Sequence, residues 1–306
     1  METVERDYAP KGVEFYYVYK ALAHPEWDGY VTTYSLEERL LHVEEAKRTL
    51  RSRFTWLVDP MDNRFKHAMG SRPNSEFVVG PDGTILASRD WSNAEALRAD
   101  LERIIGPVED PTEISDLDFE FVPPPTIAET GVVPRIQRSE RMRAMLVEAV
   151  SSVNDEPYYA KLRAEGGRSL LDSGAGELYL RFALDQLYKV HWNNLVDPIR
   201  VQIESPEGVT VTPSRLEGPE VEAEADMDPR EFLVDVEGAQ PGDELLLHVS
   251  YFPCSDGTET EPAWCRQVEH TYSVTIEADS DGGTVFPEQM NERFNEMRKR
   301  SAGGGD

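Results

Sequence analysis

The chain has 306 residues, 39% of them hydrophobic, and a net charge of −27. That length fits two domains better than one, and the apolar content, although low, still permits real cores. The excess of acid argues against nucleic acid as a partner, because a polyanion would be repelled and no basic stripe offsets the charge. No run approaches the ~18 apolar residues of a membrane-spanning helix, so no transmembrane segment is expected. The opening stretch METVERDYAP has neither the basic nor the apolar region of a signal peptide. The charge is uneven: residues 1–106 carry a net of −4 and the remaining 200 a net of −23, as two domains with different surfaces would.

The first hundred residues alternate strand and helix signals. Val13 to Tyr19 is aromatic and β-branched and reads as a buried strand. Ser35-Leu36-Glu37-Glu38 is a capping box opening a helix that ends near Arg53, with Leu36, Leu40, Val43 and Leu50 on one face. Phe54 to Asp59 reads as a second strand, and a short helix from about Met61 to Met69 stops at Gly70. Glu76 to Val79 and Thr84 to Ala87 are strands joined by the turn Gly80-Pro81-Asp82-Gly83. Ser92-Asn93-Ala94-Glu95 is a second capping box, opening a helix with Leu97, Leu101 and Ile104 inward that Gly106-Pro107 ends. The order β-α-β-α-β-β-α, closing on a hairpin and a helix, is the back half of a thioredoxin fold.

Residues 107–176 read as connecting sequence: an acidic, proline-rich linker over 107–136, an amphipathic helix over 138–153 through Met142, Met145, Leu146 and Val150, and a loop-rich stretch to 176. From Glu177 the periodicity becomes two. Leu178 to Phe182, Ile199 to Ile203, Phe232 to Val236, Glu244 to Tyr251 and His270 to Ile276 are strand candidates with no helix signal between them, so residues 177–286 read as an all-β sandwich of the immunoglobulin-like kind. A charged helix over 287–300 and a flexible tail complete the reading. His191-Trp192-Asn193-Asn194 reads as an exposed turn rather than a metal site, since no second histidine or thiolate accompanies it. No cysteine and histidine spacing resembles a zinc site, and no cofactor motif is present.

Val13 to Tyr30, Trp56 to Asn63 and Arg72 to Val79 together resemble the iodothyronine deiodinase and redoxin branch of thioredoxin-like proteins over residues 5–106. The motif match is Ala23-His24-Pro25-Glu26-Trp27-Asp28-Gly29-Tyr30, with Leu22 where the family has glutamate and Tyr30 where it has tryptophan. The resemblance implies a functional His24, a cis-proline at Pro73 facing the reactive centre, and Asp59 and Asp62 at a strand end where such sheets bind ligands, although Asp62 also reads as a helix cap. It also implies a first strand and a nucleophile-bearing helix ahead of Val13, of which this sequence holds only the end. Three explanations stay open: a late gene start, a selenocysteine codon read as a stop, or a nucleophile that has been lost.

His248 to Cys254, then Trp264-Cys265, then Tyr272 to Ile276, resembles the N-terminal domain of DsbD-type thiol–disulfide interchange proteins over roughly residues 177–277. The resemblance implies a disulfide between Cys254 and Cys265, which sit at the facing ends of two strands. That bond is either a staple or a pair exchanging electrons with a thiol or disulfide partner protein. A persistent bridge points to an oxidising, extracytoplasmic compartment. The leading expectation is a thioredoxin-fold redox protein of two domains whose upstream cysteine or selenocysteine segment is missing, so that this chain by itself shows little or no thiol-dependent turnover; the alternative is a non-catalytic interaction protein of thioredoxin fold that has lost its nucleophile.

Overall fold

The computed structural model describes residues 1–70, 72–117, 122, 126–138, 141–257 and 260–285. The 287–300 helix expected from sequence lies outside them. The chain is mixed α/β and forms two compact units. The first comprises Met1–Ala23 and Ser35–Pro125; the second comprises His24–Tyr34 and everything from Thr126 onward.

The first unit contains α1 (Glu2–Tyr8), β1 (Tyr16–Tyr19), α2 (Leu36–Leu50), β2 (Thr55–Val58), α3 (Arg64–Met69), β3 (Glu76–Val79), β4 (Ile85–Arg89) and α4 (Ala94–Ile104). Strands β1 and β2 pair in parallel, β3 and β4 form an antiparallel hairpin, and the two ladders are separate sheets. Ser35 caps α2 by accepting from the Glu38 amide, as the capping box requires. The second box starts one residue later than its pattern suggests: Asn93 is the cap and accepts from the Ala96 amide. Leu97 and Leu101 of α4 pack on Val4 and Tyr8 of α1, while Ile104 stays exposed.

Helix α2 departs from expectation. Its buried face holds Arg39, His42, Val43 and Thr49, whereas Leu36, Leu40 and Leu50 are exposed. The reason is polar: Arg39 donates to the carbonyls of Asp59 and Pro60 and to Asn63 Oδ1, and His42 Nδ1 meets Tyr19 Oη at 2.5 Å. Once those side chains bond inward, geometry turns the leucines outward.

The proline-rich stretch that reads as a linker is tied down at several described positions. Thr112 bonds Asp7 through its amide and hydroxyl, and the Val122 amide reaches the Thr49 carbonyl. Downstream, the amides of Gly131, Val132 and Val133 converge on the Asp228 carboxylate.

The second unit is built on β5 (Arg143–Ser152), β6 (Ala160–Gly166), α5 (Arg168–Ser173), β7 (Gly176–Leu184), β8 (His191–Asn193), β9 (Arg200–Glu204), β10 (Thr210–Thr212), β11 (Arg215–Glu217), β12 (Ala225–Asp226), β13 (Arg230–Glu237), β14 (Glu244–Tyr251), β15 (Pro253–Ser255), β16 (Trp264–Cys265) and β17 (Val268–Ala278). Nine strands form one antiparallel sheet in the order β10-β13-β7-β6-β5-β17-β14-β9-β11, and β12-β8-β15-β16 form a smaller one. The helix expected over 138–153 is therefore strand β5, and the expected loop beyond it holds β6 and α5. Met145, Leu146 and Val150 suit a helix by spacing, but β5 pairs with β6 at Arg143 and Ala144 and then with β17 from Met145 onward, and that pairing overrides local preference. Leu178, Leu180, Phe182 and Val234 from one half of the sheet and Val201, Leu245, Leu247 and Val274 from the other are buried in one core.

Because β5 leaves β6 after two residues, most of one edge of β6 has no strand beside it. Tyrosine hydroxyls take the strand's place. Tyr251 Oη accepts from the Ala160 amide at 2.9 Å and Tyr272 Oη donates to the Ala160 carbonyl at 2.7 Å. Tyr34 Oη serves both the amide and the carbonyl of Leu162. Burial pushes the Tyr251 and Tyr272 hydroxyls well above the ordinary phenol range, so they stay neutral donors and acceptors.

Glu26 anchors the segment carrying Tyr34. Its buried carboxylate pairs with Arg181, in a row where Glu231 accepts from Tyr179 Oη at 2.5 Å and pairs with Arg135. Burial still outweighs those arginines and raises the Glu26 carboxyl above its usual range.

Tyr34→Phe leaves two buried backbone groups of Leu162 without partners, so urea unfolding should show a loss of roughly 1–3 kcal/mol per orphaned group with little change in slope. His270, 2% exposed, stacks on Tyr158 at 4.2 Å and has no hydrogen-bond partner at Nε2. Burial lowers its pKa to about 4. The unfolded chain takes up this proton near pH 6.5 and the folded chain only near 4, so protonation favours unfolding and stability falls as pH drops through that window. His270→Leu should flatten this part of the stability–pH curve; an unchanged slope relative to the parent would contradict the assignment.

Candidate functional site

The smaller sheet carries the cysteine pair. Tyr251 ends β14 in the core, and the chain turns straight into β15, whose three residues pair with β8 on one side and β16 on the other. Cys254 and Cys265 stand directly opposite each other, with Cα atoms 4.1 Å apart, and form a disulfide. That spacing belongs to the closely approaching type of cross-strand pair, where opposed side chains share a face. The bridge expected between these residues is thus present.

The two cysteines differ in surroundings. Cys254 is 4% exposed, whereas Cys265 is exposed to solvent. Asn193 Nδ2 approaches the Cys265 sulfur at 3.4 Å. Trp264, next to it, lies under the Arg266 guanidinium at 4.1 Å and packs on Tyr159. Arg266 in turn pairs with Glu156 at 2.9 Å, which with the Tyr159 hydroxyl holds the Glu156 carboxyl below its usual range despite burial.

On the other side of Cys254 stands His191, its partner across the β8–β15 ladder. The imidazole is buried; Nδ1 lies 2.9 Å from the Trp192 carbonyl and Nε2 lies 3.2 Å from Asp256 Oδ1. Trp192 is fixed from behind, its indole donating to the Asp228 carbonyl at 2.8 Å with Arg230 over its ring. Arg230 bonds both oxygens of the buried Asp226 carboxylate. The His191 to Asn194 stretch therefore is not an exposed turn: its first three residues are strand β8, with His191 and Trp192 buried. The alternation of a three-residue strand is too short to be read, and only the ladder to β15 reveals it.

The other residues singled out by sequence fall elsewhere. His24 belongs to the second unit, where Nδ1 lies 3.3 Å from the Thr284 carbonyl and the ring lies near Trp27. Pro73, Asp59 and Asp62 belong to the first. The bond preceding Pro73 is not cis; the cis bond among the described residues precedes Pro213. Pro73 precedes a hairpin strand, where an ordinary proline suffices. Asp59 is buried, and its two oxygens accept the Phe65 and Lys66 amides, both at 2.9 Å, so it neutralises the start of α3. Asp62 contributes a weaker bond to the Arg64 amide at 3.3 Å. Both carboxylates are accounted for structurally.

Among the described residues no three His, Cys, Asp or Glu side chains converge to hold a metal ion, and no helix is long and apolar enough to cross a membrane. A concavity of about 640 Å³ lies over β9, β11, β14 and β17, lined by Arg200, Gln202, His248 and Thr271 among others; neither cysteine nor His191 borders it. Compared with protein-family models, curated proteins and solved structures, the chain matches none.

The bridge closes a short loop, so its contribution to stability is modest, about 3 kcal/mol in the chain-entropy description. Mass spectrometry of unreduced protein should find no free thiol, and Cys254→Ser with Cys265→Ser together should lower the unfolding free energy by about that amount while the circular dichroism spectrum is retained. Two free thiols in the native protein would exclude the bridge.

Proposed function

We propose that this chain is a thiol–disulfide exchange protein whose reactive pair is Cys254–Cys265. The observation that carries this reading is the inequality of the two sulfurs: one is exposed for attack, the other is buried beside an imidazole with a carboxylate partner. A staple needs no such asymmetry, whereas exchange requires an accessible sulfur to be attacked and a stabilised one to leave. The second unit is read as a variant of the immunoglobulin-like sandwich, supported by its antiparallel pairing and single core. Its substrate is a dithiol or disulfide on another protein, because Cys265 sits on a strand surface rather than in a small-molecule cavity.

The first unit is read as a thioredoxin-type α/β unit. Its parallel β1–β2 pair with helix α2 crossing between them, and its β3–β4 hairpin followed by α4, support that reading. In that fold a further strand lies between β1 and β3, which accords with two separate ladders and with the exposure of Tyr16, Leu57 and Val79. The first unit as described holds no cysteine, and the exchange proposed here lies on the pair in the second.

Incubation of the oxidised protein with one equivalent of a reduced thioredoxin-type protein should yield the oxidised partner and two thiols on this chain. A partner variant lacking its second cysteine should stop at a mixed disulfide through Cys265 with a thiol released on Cys254, and the double serine variant of this chain should be inert. Failure of the wild-type bridge to accept electrons, with the serine variants changing only stability, would favour the non-catalytic interaction protein.

A further inference from the structure

We propose that His191, steadied by Asp256, is the positioning residue that makes Cys254 the leaving thiolate when Cys265 is attacked, an inference that rests on the exchange reading above. The ladder registers place His191, Cys254 and Cys265 in consecutive opposed positions on β8, β15 and β16. Opposed residues of neighbouring antiparallel strands share a face, with Cβ atoms about 4.5–5.5 Å apart. The imidazole and both sulfurs therefore form one row, with Cys254 in the middle.

The ring's two nitrogens both face oxygen. Nδ1 faces a backbone carbonyl and Nε2 faces a carboxylate, and both oxygens are acceptors. Neutral imidazole has only one N–H to donate; the imidazolium has two. Both ring nitrogens thus face acceptors for a proton, and a proton held beside a sulfur favours the thiolate over the thiol. Charged groups packed around this sheet include, among the described residues, Asp226, Asp228 and Arg230 behind Trp192, and Arg266 with Glu156 beyond Trp264. Asp226 pairs with Arg230 and Glu156 with Arg266, the Asp228 carboxylate accepts the amides of Gly131, Val132 and Val133, and His191 is the side chain opposed to Cys254 across the ladder.

The exchange step follows. A thiolate of the partner dithiol attacks Cys265 Sγ, forming a mixed disulfide; the Cys254–Cys265 bond breaks and its electron pair leaves on Cys254 Sγ beside the His191 ring. The partner's second thiol loses its proton to solvent and attacks the partner sulfur of the mixed disulfide, releasing Cys265 as a thiolate. Two electrons have moved from the partner dithiol to the pair. The two protons given up by the partner equal the two that the released thiolates take up when they become thiols.

The Cys265→Ser variant leaves Cys254 as the sole thiol, and thiolate absorbance at 240 nm then titrates it directly. Its midpoint should lie below the ordinary thiol value near 8.5. His191→Gln in that background should raise the midpoint by about one pH unit, and Asp256→Asn should move it the same way by less. In the otherwise wild-type protein, His191→Gln should slow reduction of the bridge by dithiothreitol at pH 7 roughly 10-fold, a leaving-group effect. A bridge that wild-type protein gives up readily, combined with midpoints that neither substitution moves, overturns the role of His191 and leaves exchange standing. A wild-type bridge that resists dithiothreitol removes the exchange reading itself. Should His191→Gln fail to fold by circular dichroism, Asp256→Asn on the exposed carboxylate carries the same test.

Discussion

The second unit depends on how the edge of β6 is closed. A central strand that loses its neighbour would leave amides and carbonyls unpaired inside a core, and each such group costs about as much as a lost hydrogen bond. Three tyrosines, from β14, β17 and the segment ending at Tyr34, put hydroxyls on Ala160 and Leu162 in place of a strand. This frees β5 to leave β6 and run beside β17, so a single sheet folds over and buries both halves of its inner face together.

The same requirement explains an oddity of chain order. Residues 24–34 interrupt the sequence of the first unit yet belong to the second. Tyr34 is needed on Leu162, and Glu26 completes the ionic row formed by Arg181, Glu231, Arg135 and Tyr179. A buried ion pair adds little net stability, since desolvation offsets attraction, but breaking one side of it is costly. The row therefore acts mainly to fix where the segment docks, and the buried Glu26 carboxyl, raised in spite of its arginine neighbours, shows how far desolvation dominates there. His24, placed by its motif among residues with a redox role, is carried along with that anchor.

The disulfide hairpin grows from the same scaffold. Tyr251 plugs the core at the end of β14, and three residues later Cys254 emerges between β8 and β16. Trp192, locked by Asp228 and Arg230, holds β8 in register and so sets His191 beside the sulfur. A strand on each side gives the two cysteines unequal surroundings, one buried and the other exposed.

Period-two segments such as Glu244 to Tyr251 and the cysteine positions at two facing strand ends were legible because one buried face imposes alternation on the sequence itself. The capping serine at position 35 and the cysteine bridge were legible for the same local reason: the partners lie within a few residues or in one hairpin. Strand β5 was not, since Met145, Leu146 and Val150 satisfy a helical spacing equally well and only backbone pairing with β17, more than a hundred residues away, selects the strand. Nor was the inward turn of Arg39 and His42, which depends on carbonyls exposed by a distant strand end, nor the role of His191, whose three-residue strand has no period of its own. The sequence alone determined the alternation of elements, the acidic imbalance and the pairing of two cysteines, all set by neighbours close along the chain; tertiary structure decided which residues flank the sulfur and which segment closes β6, because hydrogen-bond satisfaction in a core is settled among groups far apart in sequence.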